Sequence, residues 1–249
     1  SIFYFVYNLT QKMIRFFKKE ICMQNSYKRM DAHLSNLGYC TRSEVKKFLK
    51  KNLVCVDGIR VFDVTQKAYH NDVTVENEPL DNESLLILMN KPSGVICSHS
   101  DGGVLIYSML PLRWQRRNPK ISTIGRLDAD TTGAILLTDD GELNHKLTSP
   151  KSDVAKVYEA TLAEPLKGNE ADIFASGELF LKGEKKPLLS AKMEILSPLH
   201  VRLEICEGRY HQVKRMFGAL GNRVVALHRV SFGDFSVENL KLGEYKTVI

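Results

Sequence analysis

The chain is poor in cysteine chemistry. Its 249 residues hold five cysteines, Cys22, Cys40, Cys55, Cys97 and Cys206. The count is odd and no C-x-x-C pair occurs. That argues against a disulfide framework and a zinc site, and predicts free thiols in a reducing cytosol. No apolar run is long enough to span a bilayer, so no membrane partner is expected. The sequence has no P-loop, no dinucleotide fingerprint and no metal-ligand cluster, which predicts chemistry without a cofactor. It shows no internal repeat and no low-complexity tract. It also lacks the recognition-helix pattern and dimer signal of a DNA-binding regulator, and a monomer is expected.

What is present is ordinary in bulk and specific in detail. Hydrophobic residues make up 43% and charged residues 26%, a composition that builds a sizeable core. The net charge of +6 and a pI near 9.0 favour a polyanionic partner, RNA or DNA before membrane. Residues 1–29 read as an extension. Ile2 to Tyr7 are apolar and Arg15 to Lys19 basic, the reverse of a signal peptide's charge order. Translation is expected to start at Met23; an amphipathic anchor is the alternative.

Two units follow. In the first, residues 30–75, Thr41-Arg42-Ser43-Glu44 is a capping box. Val45, Phe48 and Leu49 then predict a helix with one apolar stripe. Lys46, Lys47, Lys50 and Lys51 fall on its open face, next to Arg42. Asp57-Gly58 between two β-forming runs predicts a hairpin. Residues 76–84 are acidic and polar and predict a linker.

The second unit, residues 85–249, holds predicted strands over Leu85–Met89, Ala134–Thr138, Lys156–Leu162, His200–Cys206 and Val224–Val230. Asn90-Lys91-Pro92-Ser93-Gly94 reads as a loop, Asp140-Gly141 as a turn, and the cations from Arg113 to Lys120 as a loop suited to phosphate contact or as a plain surface loop. Val213, Met216, Phe217 and Leu220 predict a helix that starts near Arg209 and ends at Gly221. Its opposite side carries His211, Lys214 and Arg215. Many strands without β-α-β alternation predict an α+β fold around a mostly antiparallel sheet.

The string Gly125-Arg126-Leu127-Asp128-Ala129-Asp130-Thr131-Thr132-Gly133 runs into the apolar Ala134–Leu137. A carboxylate there sits on a small-polar turn at the lip of a buried strand, with a cation two residues before it. Such a placement presents an acid for chemistry.

This string, K-x-Y at Lys156–Tyr158 and Glu207-Gly208-Arg209-Tyr210-His211-Gln212-Val213-Lys214-Arg215-Met216-Phe217 resemble, in order, the motifs of pseudouridine synthases acting on ribosomal RNA. N-K-P-x-G resembles the start of the family's catalytic domain. The first unit resembles the S4-type RNA-binding module. The resemblance covers Met30 to Tyr245 and implies an isomerase that needs no cofactor. It implies that Asp128 is the nucleophile and that Lys214 pairs with it. Lys214 keeps the charge of the Arg found in sister families but not its fork. A cation there favours the anionic carboxylate. Tyr158 is expected to pack on the flipped uracil and to serve in proton transfer, with Ile205 closing the pocket. Arg126 is expected to fill the space left by the flipped base. Lys91, Arg209, His211 and Gln212 are expected to touch substrate, and Arg42, Lys46, Lys47, Lys50 and Lys51 to bind RNA. H-Q-V-K-R-M-F with T-D-D-G and S-P-K resembles most the branch that modifies one uridine of 16S ribosomal RNA, a uridine-516 type site. The expected partner is ribosomal RNA within a small-subunit assembly intermediate, in the cytoplasm. The 23S-directed branch, or a non-catalytic assembly factor, is the alternative.

Overall fold

The computed structural model describes residues 25–149 and 152–248. The expected start at Met23, the anchor alternative and the end of the S-P-K string lie outside them.

In the first unit β1 (Tyr27–Arg29) leads into α1 (Met30–Asn36). The Glu44 carboxylate accepts from the Thr41 backbone N–H at 3.0 Å and from its hydroxyl at 2.6 Å. This box opens a 3-10 turn that continues into α2 (Val45–Lys51). Val45 and Leu49 are buried with Phe48 packed beside them, and the four lysines are exposed. β2 (Val54–Val56) and β3 (Ile59–Arg60) meet at Asp57-Gly58, both at positive φ, as this hairpin turn requires. β4 (Lys67–Tyr69), β5 (Val73–Val75) and β6 (Glu78–Pro79) complete the unit.

The unit is longer at both ends than the sequence predicts. β1 pairs antiparallel with β4, so residues 25–29 belong to it. Residues 76–84 are not a free linker. Glu76 and Asn77 both take positive φ and fold β6 back onto β5, and Leu80 is buried in the same core. Neither turn residue is glycine, so composition carries no hairpin signal there.

The second unit contains β7 (Leu86–Lys91), β8 (Val95–Ile96), β9 (Val104–Leu105), α3 (Leu112–Gln115), β10 (Ser122–Ile124) and β11 (Thr132–Thr138). Then come α4 (Gly141–Thr148), β12 (Lys156–Leu162), α5 (Glu170–Ser176), β13 (Lys192–Ser197) and β14 (His200–Ile205). α6 (Gln212–Ala219), β15 (Val224–Phe232), β16 (Phe235–Ser236) and β17 (Tyr245–Thr247) close the unit. The main sheet runs β13-β14-β12-β15-β11-β7-β17. It is antiparallel except where Thr132 and Gly133 of β11 pair in parallel with His228 and Arg229 of β15. β10 pairs with the far half of β11. Residues of β7 and β11 alternate between two apolar cores, one on each face, so both strands read as continuous hydrophobic runs.

Asp140-Gly141 is not a turn but the start of α4. The Asp140 carboxylate caps it by accepting from the N–H groups of Glu142 and Leu143. The loop from Arg113 to Lys120 is likewise not a free phosphate-binding loop. Arg117 is buried, pairs with Asp139 at 2.6 Å and donates to the carbonyls of Asn82 and Glu83. Arg113 and the Trp114 indole both donate to Asp81. These cations clasp the segment between the units.

His33 and His70 are buried in the first unit with ring centroids 5.7 Å apart. Burial lowers both pKa values below 6.5, as it does for His228 on β15. The unfolded chain therefore takes up protons below 6.5 that the folded chain refuses. Stability falls as pH drops below that value. The melting temperature is expected to decline from pH 7 to pH 5 and to decline less in His33→Gln/His70→Gln. Glu83, held at about 2 against the cost of burial by Lys28 and Ser26, acts only at lower pH. A melting temperature indifferent to pH over that span would contradict this account.

Candidate active site

Asp128 lies on the loop between β10 and β11. Leu127 anchors that loop below, with 7% of its surface exposed. From the side it is gripped by Lys91, which is wholly buried. Its ammonium donates to the carbonyls of Pro92, Ala129 and Thr131 at 2.9, 3.2 and 2.9 Å. Burial lowers the pKa of Lys91. Asn90 and Lys91 are thus the end of a strand rather than a loop. Lys91 clamps the backbone around Asp128 and does not reach the cavity.

The Asp128 carboxylate meets two groups from α6 and its entry. Lys214 Nζ approaches Oδ2 at 2.8 Å, and His211 Nε2 approaches Oδ1 at 3.2 Å. Lys214 also reaches Asp130 at 2.7 Å. Burial opposes the charge on Lys214, but its bonds to Asp128 and Asp130 outweigh it and raise its pKa. The Lys214 hydrogen bond holds the pKa of Asp130 down. This triad fixes a carboxylate that is about a quarter exposed.

The entry to α6 explains E-G-R-Y-H-Q. His211 adopts a left-handed backbone, φ 48°, just before the helix. Gln212 is buried; its amide oxygen accepts from Arg209 N–H and its amide nitrogen donates to Glu207. Arg209 gives its guanidinium to Glu207 and to the carbonyls of Lys186 and Pro187. Arg209 and Gln212 therefore build the turn that aims His211 and Lys214. Arg215 is not a free helix face: it donates to Glu184 and to the carbonyls of Lys182 and Tyr210. Gly221 ends the helix as expected, with Asn222 N–H bonded to the Phe217 carbonyl.

Beside Asp128 opens a cavity of about 600 Å³, lined by Arg126, Lys156, Tyr158, Ile205 and Arg229 among others. That size suits a nucleoside. Tyr158 on β12 is 8% exposed and Ile205 ends β14 with 3% exposed, so these two give the cavity a buried apolar wall. Arg126 is exposed at the rim. Lys156 Nζ donates to the Val154 carbonyl. Burial, then the neighbouring Arg229 charge, lowers its pKa to about 8. The sequence patterns give no role to Lys156, although it opens K-x-Y, and none to Arg229. The signal for Arg229 was available: a cation inside the strand run Val224–Phe232 must find buried partners. The five cations Arg42, Lys46, Lys47, Lys50 and Lys51 sit on the first unit as an exposed group of their own.

Residues 85–219 match the model of the family described as RNA pseudouridylate synthase. Ribosomal small subunit pseudouridine synthase A of Haemophilus influenzae is 42% identical over 225 residues, covering 88% of this chain and 94% of that protein. The protein of the same name from Escherichia coli K12 is 38% identical, with 88% and 95% covered. A solved structure described as a pseudouridylate synthase is 41% identical with a TM-score of 0.61, covering 89% of this chain and 96% of that one. The chain belongs to the RNA pseudouridylate synthase family.

Proposed function

We propose that the protein isomerises one uridine of 16S ribosomal RNA to pseudouridine, at the uridine-516 type site, acting as a monomer on a small-subunit assembly intermediate in the cytoplasm. The observation that carries this is the Asp128–Lys214 pair at 2.8 Å beside a cavity walled by Tyr158. Relatives named for the small ribosomal subunit, matched over nearly their whole length, support the RNA class. In the reaction the N-glycosidic bond breaks, the base turns, and the sugar carbon bonds to carbon five of the ring. The sequence is redox-neutral. Asp128 acts as the nucleophile, at the sugar carbon or at the base ring. Tyr158 packs on the uracil and serves in proton transfer.

The first unit is of the S4 type in this reading. Its exposed Arg42, Lys46, Lys47, Lys50 and Lys51 contact phosphates, and Arg126 holds the target base out of its stack. Mapping pseudouridine in ribosomal RNA from cells with and without the protein tests the activity. A lost 16S site supports it, and a lost 23S site favours the alternative branch. Replacing the five cations by glutamine is expected to flatten the salt dependence of RNA binding, by roughly 0.7–0.9 in log–log slope for each phosphate no longer neutralised. Arg126→Ala is expected to slow single turnover more on folded RNA than on a short unpaired oligonucleotide. An unchanged slope, or equal losses on both RNAs, would remove those two roles.

A further inference from the structure

Arg229 is the least explained charge in the site. It is 2% exposed. Its Nε donates to the Ala134 carbonyl at 2.6 Å and its Nη1 to the Tyr158 hydroxyl at 3.3 Å. Its Nη2 is buried and has no hydrogen-bond partner among the described residues. No carboxylate there forms an ion pair with it. A guanidinium does not lose its proton in a protein, and a buried cation without an anion carries a heavy desolvation cost. Yet the fold holds it firmly. Arg229 lies directly across the strands from Tyr158 on one side and Gly133 on the other.

The chemistry of the pair is one-directional. Arginine only donates, so the phenol oxygen of Tyr158 must accept from it. The phenol's own proton is left free of Arg229, on a residue that lines the cavity. A phenolate at Tyr158 would supply the one thing Arg229 lacks, an adjacent negative charge.

We infer that Arg229 is a positioning residue: it orients the Tyr158 hydroxyl toward the cavity and holds the charge of the phenolate when that proton leaves. The inference rests on the proposed activity and deepens it. The protons of the reaction balance through this pair. When Asp128 attacks at the sugar carbon, its carboxylate bonds there as the bond to N1 breaks, and the base leaves with the bonding electrons. Tyr158 gives its proton to N1, and Arg229 faces the resulting phenolate. After the base turns, carbon five bonds to the sugar carbon, the Asp128 carboxylate leaves with its electron pair, and the phenolate removes the proton from carbon five. The product carries a proton on N1 and none on carbon five, and Tyr158 is neutral again. No outside acid or base is consumed.

The test is a double-mutant cycle in single-turnover rates at saturating 16S RNA, using the full chain. Arg229→Met is expected to slow pseudouridine formation by about a hundredfold, the range of a lost proton-transfer partner, with RNA affinity unchanged. Arg229→Lys keeps a cation and is expected to recover about tenfold of that loss. In a Tyr158→Phe background either Arg229 change is expected to cost nothing further. A purely structural role would lower RNA affinity, would not be rescued by lysine, and would multiply with Tyr158→Phe. Losses that multiply, or an Arg229→Met protein at the parent rate, overturn the inference. Should Arg229→Met not fold, Arg229→Lys in the two backgrounds separates the two roles in the same way. A parent protein that forms no pseudouridine refutes the proposed function instead.

Discussion

Asp128→Asn is expected to form no measurable pseudouridine while binding RNA as the parent does. The substitution keeps the shape and removes the charge. Lys214 retains Asp130 at 2.7 Å, so the ammonium is not left unpaired. Leu127 and the Lys91 clamp still fix the loop from below and from the side. The fold therefore survives and the change falls on chemistry alone. An amide is a poor nucleophile, and losing the attacking group of an enzyme costs on the order of 10⁴-fold or more. Single-turnover assays with isotopically labelled uridine read the rate, and a filter-binding assay reads affinity. Turnover at an appreciable fraction of the parent rate would sink the assignment of Asp128. A parallel loss of binding would mean that the carboxylate shapes the RNA surface instead.

Gly133→Ala is expected to damage both stability and activity. A Cβ on Gly133 would stand 2.2 Å from the Arg229 carbonyl oxygen and 2.6 Å from its nitrogen, and the backbone there has φ +110°. Both obstacles are main chain, so no side chain can swing aside. Overpacking costs about 1–3 kcal/mol and the strained backbone about 1–3 more, together roughly 2–6 kcal/mol. The contact lies where β11 and β15 run parallel, between the Asp128 loop and the Arg229–Tyr158 pair. Relief of the clash must move one of them. Chemical denaturation reads the stability, and a Gly133→Ala protein as stable and as active as the parent would show that the strands part freely.

Parts of this arrangement are legible in the sequence because their causes are local. The α6 stripe of Val213, Met216, Phe217 and Leu220, its glycine stop and the Asp57-Gly58 hairpin each depend on a few neighbouring residues. The Asp128–Lys214 pair is reached through motif resemblance, and its partners lie 86 residues apart in the chain. What stays hidden shares a different cause. Lys91, Arg117 and Arg229 are buried cations that bond chiefly to distant backbone carbonyls. A carbonyl has no residue identity, so no pattern announces it. The resemblance therefore makes Lys91 a substrate contact and the run of cations makes Arg117 part of a phosphate-contacting loop, whereas both are buried against main-chain carbonyls. α4 escapes for a simpler reason: Asp-Gly marks a turn and a helix start equally well, and the capping bonds of Asp140 decide between them.

β11 joins two of these features end to end. Its first residues follow the Asp128 loop. Its last, Thr138, is followed by Asp139, whose carboxylate holds the Leu85 N–H and the Arg117 guanidinium. Arg117 in turn grips the segment leading out of the first unit. Seven strand residues span roughly 20 Å, and all but the first are fully buried. The strand is therefore a stiff axle, with the Asp128 loop mounted at one end and the segment leading out of the cationic unit bolted to the other. Loosening the bolt should be felt at the acid, and the two units should lose function as one machine.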